Sequence, residues 1–363
     1  MTPDIFKIPQ GREAGQANAR ACALLQGLMQ GEHLGHGGAA DLFNVMLDPA
    51  VTDAQLSALL VALAVKGETV EELAGMAAAM RARATRVRPA HKIFIDTAGT
   101  GSSPVKTFNV STAAAFVAAG AGLPVAKHGN RAVTSRSGSA DVLSHLGVRI
   151  DVTPEVSEGC LNRFGICFMF APLYHGATAR VAGVRRELGV QSVFNLLGPL
   201  ANPAGAPRQL VGVWHRRLIE PMANTLALLG VGGAWVVRGN DGLDEITLAD
   251  STVVAEVKAD EVRLLEVEPA DFGLRRASLK GCRGGDAKAN AEIIHDVLSG
   301  ERRDEARDLV VINAAAALLV AGRAEDPARA ARLAEESIDS GAALLKLDQL
   351  VSATNACVLH GLH

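Results

Sequence analysis

From residue 18 to about residue 84 the chain shows only helical periodicity. Beyond Pro89, short β-rich runs repeatedly break into glycine-rich loops that open helices. Strand and helix in alternation imply a central sheet with helices packed on its faces. The expected fold is therefore α/β: a small N-terminal α-helical domain, then a larger α/β domain with a central sheet flanked by helices. In the helical part, Thr52-Asp53-Ala54-Gln55 and Thr69-Val70-Glu71-Glu72 carry the capping-box pattern of a helix start. Leu56, Leu59, Leu60 and Leu63 follow the first at helical spacing, and Leu73, Met76, Ala77 and Met80 follow the second. Strands are expected at 93–96, 123–126, 166–170, 210–214 and 234–237, and an antiparallel hairpin at 252–257 and 262–267. The tail from about 286 to 359 reads as helical, and residues 1 to about 16 as a loose arm.

Composition excludes several function classes. With 36 basic and 39 acidic side chains, a net charge of −3 and 4% aromatic residues, the composition does not support a duplex-binding face or a base-stacking platform, so no nucleic-acid partner is expected unless folding assembles a basic patch. No apolar run is long enough to span a membrane, and the start lacks a basic region followed by an apolar stretch. Cys22, Cys160, Cys167, Cys282 and Cys357 are odd in number and form no C-x-x-C pair. Neither a disulfide framework nor a thiolate metal site is expected, and a cytoplasmic location fits.

Three loops carry the chemistry. The first runs from Asp96 through Gly99-Thr100-Gly101-Ser102-Ser103-Pro104 to Ser111-Thr112, where a helix begins. Small residues allow close backbone approach to an anion, and the hydroxyls and free N–H groups of a helix start can hold phosphate. Pro104 excludes a dinucleotide fingerprint, and the absent G-K-[ST] excludes a Walker loop. The second loop, Lys127-His128-Gly129-Asn130-Arg131 to Ser137-Gly138-Ser139-Ala140-Asp141, interleaves cations with hydroxyls and suits an anion. The third, Gly239-Asn240-Asp241-Gly242-Leu243-Asp244-Glu245-Ile246, places adjacent carboxylates after a strand, where they can hold a hard divalent cation or simply form an acidic turn. A polyanion cradle beside an acidic loop points to a phosphorylated or pyrophosphorylated substrate with Mg²⁺.

These loops, with Val184-Arg185-Arg186-Glu187-Leu188-Gly189, Phe194-Asn195-Leu196-Leu197-Gly198-Pro199-Leu200-Ala201-Asn202-Pro203 and Gly242-Leu243-Asp244-Glu245, resemble the anthranilate phosphoribosyltransferases from about residue 20 onward. K-H-G-N-R followed by S-G-S-A-D is the most specific part of the resemblance. It implies transfer of the phosphoribosyl group of phosphoribosyl pyrophosphate to the amine of anthranilate, a step of tryptophan biosynthesis, by a Mg²⁺-dependent homodimer. It also implies a helical domain at 1–88 with a returning segment near 177–197, and an α/β domain at 89–363.

The resemblance further implies roles for individual residues. Gly99, Ser102, Ser103, Thr107, Asn109 and Val110, then Ser111 and Thr112, would contact phosphoribosyl pyrophosphate. The second loop would add Lys127, His128, Gly129, Asn130, Arg131 and Ala132, followed by Val133, Thr134, Ser135 and Ser139. Ser111, Asp244 and Glu245 would serve Mg²⁺. Gly99, Asn130 and Arg185 would contact anthranilate, with His128, Ala171, Pro172 and Thr178 along its path. Lys127, Arg185 and Asn130 are the catalytic candidates: Lys127 to offset charge on the departing pyrophosphate, Arg185 to grip the carboxylate as a two-pronged clamp.

Four departures stand out. The family's usual G-T-G-G-D-G is replaced by Gly99-Thr100-Gly101-Ser102-Ser103-Pro104; His175-Gly176 stands for a His-Pro pair; Thr178 and Gln191 replace larger and basic residues. Three alternatives remain open at this point: a same-fold enzyme for another aromatic amine, a pyrimidine nucleoside phosphorylase, and a catalytically idle paralogue that binds nucleic acid.

Overall fold

The computed structural model describes residues 15–101, 103–132 and 137–359; the arm expected at 1–16 lies almost wholly outside them. The helical part comprises α1 (Gln16–Met29), α2 (Gly35–Leu47), α3 (Asp53–Lys66) and α4 (Val70–Arg83). Both expected capping boxes form, with the Thr52 and Thr69 hydroxyls accepting from the Gln55 and Glu72 N–H groups. Gly75 lets α4 lie directly on α2, because a Cβ there would collide with the His36 carbonyl.

Glu72 does more than cap α4. Its buried carboxylate accepts from Leu34 N–H at 3.0 Å, Thr69 N–H at 2.9 Å and Lys66 Nζ at 2.8 Å. Burial pushes this carboxyl up, but the Lys66 bond and the two N–H groups together hold it below its ordinary value. Glu72→Ala is expected to leave the Lys66 ammonium buried without its partner and to cost about 3–5 kcal/mol. Urea unfolding of the variant checks this, and a loss below about 1 kcal/mol, the range of an exposed pair, contradicts it.

The α/β part runs β1 (Ile95–Gly99), α5 (Val110–Gly120), β2 (Val125–Gly129), α6 (Ser139–His145), α7 (Pro154–Phe164), β3 (Ile166–Phe170), α8 (Ala171–Tyr174), α9 (Ala179–Leu188) and α10 (Val193–Leu200). It continues with β4 (Arg208–Gly212), α11 (Ile219–Leu228), β5 (Gly233–Gly239), β6 (Thr252–Lys258) and β7 (Glu261–Val267), then α12 (Ala287–Leu298), α13 (Glu305–Val320), α14 (Pro327–Asp339) and α15 (Ala342–Leu359). The sheet order is β3-β2-β1-β4-β5-β6-β7. Strands β1 to β5 pair in parallel, while β6 pairs antiparallel with β5 and β7, so the expected hairpin closes one edge. One face of the sheet shares its core with α5, α12 and α13, the other with α10, α11 and the helical bundle.

Strands β1 and β2 run further toward their loops than expected. The ladder pairs Gly99 with Gly212 and Gly129 with Phe170. Neighbouring strands therefore draw Lys127 and His128 out of the loop and into buried strand positions. Helices α9 and α10 return to the bundle, where Val184, Phe194 and Leu197 join the cluster built on Leu42, Phe43 and Leu59. Arg180 secures this return by donating to the Asp53 carboxylate and the Asp48 carbonyl, both at 3.0 Å, and to the Val51 carbonyl.

Candidate active site

A cavity of about 440 Å³ opens at the C-terminal ends of β1 and β2 and extends under the returning helices, the end of a parallel sheet where ligands bind. The β1–α5 loop forms one wall. Thr100 N–H donates to the Gly212 carbonyl at 2.9 Å, and Ser103 Oγ donates to the Gly242 carbonyl at 3.0 Å. Pro104 and Val105 lie against Gly242, so the Ser103-Pro104 departure packs this loop onto the acidic loop. Asn109, just before α5, accepts from Ser137 Oγ at 3.3 Å and from Asn290 Nδ2 at 3.0 Å, which joins the first loop, the second loop and α12.

Lys127 is 4% exposed, and its ammonium donates to the Thr97 carbonyl at 2.5 Å and reaches Ser111 Oγ at 3.4 Å. Burial lowers its pKa, while Asp96 and Glu245 act to raise it. Asp96, wholly buried, is pushed up to about 6 by desolvation despite Lys127 and an Asn202 Nδ2 bond of 2.7 Å. Asn202 also donates to the Ala126 carbonyl at 2.9 Å, bracing β1 against β2 beneath the lysine. The ammonium thus belongs to a buried charge network at the end of β2, although the sequence placed Lys127 at the start of the second loop.

Asp244 and Glu245 are held close to β1 and β4. Gly212 has no Cβ where the Asp244 carbonyl passes, and Gly99 faces the Asp244 carboxylate. Burial raises both carboxyls, and repulsion from Asp244 helps to carry Glu245 up to about 8. The Ser111 N–H beside Glu245 and the Ser103 hydroxyl beside Asp244 act in the opposite direction, drawing the two carboxyls down. Asp241 is committed elsewhere: its oxygens accept from Leu243 N–H and Thr247 Oγ1. Two half-buried neighbouring carboxylates with raised proton affinity suit a hard cation. No group of three or more His, Cys, Asp or Glu that could hold a metal occurs among the described residues. Mg²⁺ bound here would complete its shell with water and substrate oxygens, as this ion commonly does.

The second loop is anchored by Asp141, which accepts from Arg131 Nη1 at 2.9 Å, Ala132 N–H at 2.9 Å and Gly138 N–H at 3.0 Å. Arg131 also lies 5.8 Å from the Phe170 ring centroid. Exposed Asn130 turns its oxygen to Arg131 N–H at 2.7 Å. Ser139 lies under Gly129, where a Cβ would meet its hydroxyl.

On the helical side stand Arg185, His128, His175, Ala171, Pro172 and Thr178. The His128 and His175 rings meet edge to face at 5.1 Å. Burial lowers them to about 3 and about 4, so both are neutral at pH 7, and neither Nε2 has a partner among the described residues. Thr178 turns its hydroxyl to the His175 carbonyl at 2.8 Å. The Arg185 guanidinium lies 5.5 Å from the Phe194 ring centroid and donates to Asn195 Oδ1 at 3.1 Å. Desolvation lowers its pKa, and its Nε has no partner among the described residues.

The cavity thus gathers every site residue expected from the sequence except Ser102, Val133, Thr134 and Ser135, which lie outside the described residues. It adds Met80, Lys106, His175, Phe194 and Asn195. Lys106, His175 and Asn195 stood inside quoted motifs and were legible as polar groups beside assigned ones. Met80 carried only a core-facing helical period, which says nothing of a cleft.

A glycosyl transferase family α/β domain model matches residues 91–344, and a glycosyl transferase family helical bundle domain model matches residues 23–84. The anthranilate phosphoribosyltransferase of Anaeromyxobacter dehalogenans is 53% identical over 327 residues, 90% of this chain and 96% of that protein. That of Moorella thermoacetica is 48% identical over 330 residues, 91% of this chain and 97% of the relative. This chain belongs to the anthranilate phosphoribosyltransferase family.

Solved members of the anthranilate phosphoribosyltransferase family share the whole architecture. The enzyme from Thermus thermophilus superposes with a TM-score of 0.86 at 38% identity, over 92% of this chain and 99% of its own. The Saccharomyces cerevisiae enzyme in complex with phosphoribosyl pyrophosphate and Mg superposes with a TM-score of 0.87 at 28% identity, over 95% of this chain and 100% of its own.

Proposed function

We propose that this chain carries out its family's reaction, joining the phosphoribosyl group of phosphoribosyl pyrophosphate to the amine of anthranilate. The bond from C1 of the ribose to pyrophosphate breaks, the amine nitrogen bonds to C1, and the amine releases a proton. The observation that carries this reading is Arg185: a desolvated guanidinium lining the same cavity as Asp244 and Glu245, with no carboxylate paired to it among the described residues. Such a group is built to receive a carboxylate from outside.

The chain's residues then divide the work. The N–H groups at the start of α5, the second loop and Ser139 would cradle the phosphates. Asp244 and Glu245, with Ser111, would hold Mg²⁺, whose charge offsets that of the departing pyrophosphate. Lys127 supports this end from below through Ser111 and Glu245. His128 and His175, neutral at pH 7, would flank the aromatic ring without competing with Arg185 for its carboxylate. An aromatic amine is neutral and nucleophilic at pH 7, so orientation matters more than a strong base.

The proposal includes a cytoplasmic homodimer whose helical domain is 1–88 with the return near 177–197. Exposed Met29, Val61 and Val65 on α1 and α3 offer apolar surface to a second copy. No helix among the described residues is long and apolar enough to cross a membrane. Anthranilate fluorescence tests the reaction: it is expected to fall when the protein, phosphoribosyl pyrophosphate and Mg²⁺ are combined, and to hold steady without any one of them. Persistent fluorescence with a folded protein defeats the proposal and returns attention to another amine, or to the idle paralogue, which would shift labelled DNA at low salt.

A further inference from the structure

We propose that Asn195 is a positioning residue that fixes the Arg185 guanidinium for the acceptor without neutralising it. The inference rests on the reading of Arg185 as the acceptor's carboxylate clamp. Asn195 is the third residue of α10, and its Oδ1 is shared: it accepts from Ser192 N–H at 3.1 Å, closing the helix start, and from Arg185 Nη2 at 3.1 Å. Phe194, the preceding residue, presents its ring to the same guanidinium, with the arginine carbon 5.5 Å from the ring centroid. That ring is stacked in turn on Phe43 of α2 at 5.9 Å. The arginine is therefore held on one face by an aromatic ring and along one edge by an amide, both anchored in the helical core.

Neither support carries charge. A carboxylate at position 195 would satisfy Ser192 N–H equally well and would bind Arg185 more strongly. It would also form, inside the protein, the ion pair that the acceptor is meant to form. A neutral amide orients the fork and leaves its charge for the ligand, so the preference for a carboxylated aromatic amine depends on residue 195 as well as on residue 185. Among the described residues, no other side chain hydrogen-bonds the Arg185 guanidinium.

Asn195→Asp separates this role from helix capping, since Asp keeps the shared oxygen and suits the first turn of a helix. The expected result is a variant that melts no lower than wild type, with KM for anthranilate raised about tenfold or more and KM for phosphoribosyl pyrophosphate unchanged. With aniline, which lacks the carboxylate, wild type and Asn195→Asp should perform alike. Asn195→Ala should also raise KM for anthranilate, and being uncapped it should melt lower. An Asn195→Asp enzyme with the wild-type KM for anthranilate overturns the assignment. So does a variant in which melting temperature and both KM values worsen together, the pattern of a purely structural role. A wild type that leaves anthranilate untouched defeats the underlying reading, and the inference with it.

Discussion

Arg185→Ala is expected to lower kcat/KM for anthranilate by about a hundredfold while KM for phosphoribosyl pyrophosphate stays near the wild-type value. A charge-assisted bond inside a desolvated site contributes roughly 1.5–3 kcal/mol, and losing both prongs falls at the upper end of that range. Removing the guanidinium should not unfold the chain. Its pKa is lowered by burial, and no paired carboxylate among the described residues would be stranded by its loss. Arg185→Lys should recover only part of the activity, because a point charge does not reproduce a planar fork. Steady-state kinetics with each substrate varied in turn separates the outcomes. Equal loss for both substrates would place Arg185 outside acceptor recognition.

Glu245→Gln should have opposite effects on function and stability. In the substrate-free folded chain Glu245 titrates at about 8 against an ordinary 4.5, through burial first and Asp244 second. Between those values the folded state holds a proton that the unfolded state has lost, so this group's contribution to stability falls as pH rises through the window. Gln has no such titration. The variant should therefore melt above wild type at pH 8 to 9 without metal, with the gap closing toward pH 5. Mg²⁺ with phosphoribosyl pyrophosphate should raise the melting temperature of wild type and raise that of the variant much less. Turnover should drop by about a hundredfold or more, the scale of a lost electrostatic contribution at a reacting centre. A Glu245→Gln enzyme with wild-type turnover and an unchanged Mg²⁺ response would remove this pair from the metal site.

Much of this was legible because short-range chemistry leaves local marks. Thr52 and Thr69 announce helix starts by the residue three places on, and both caps form. The alternation of strand and helix implied the flanked sheet, and the loops after its strands carried the small, hydroxylic and charged residues that an anion needs. Strand ends were less legible. Lys127 and His128 looked like loop residues beside Gly129, but pairing with Phe168 and Met169 makes them part of β2. The partner strand lies about forty positions away, beyond any local pattern.

By itself the sequence determined the order and kind of the main elements, which loops are acidic and which are rich in hydroxyls and cations, and, through its motifs, the family to which the chain belongs. Those properties follow from periodicity and residue chemistry along a few neighbouring positions. Tertiary structure alone decided protonation and geometry. Desolvation depends on what packs around a group, so only the fold could make His128 and His175 neutral, raise Asp96 and Glu245, and tie the Lys127 ammonium to Thr97. It also brought Met80, Phe194 and Asn195 from the helical side into a cavity whose other wall is the sheet. Contacts between residues so far apart in sequence are set by how helices and sheet pack in three dimensions.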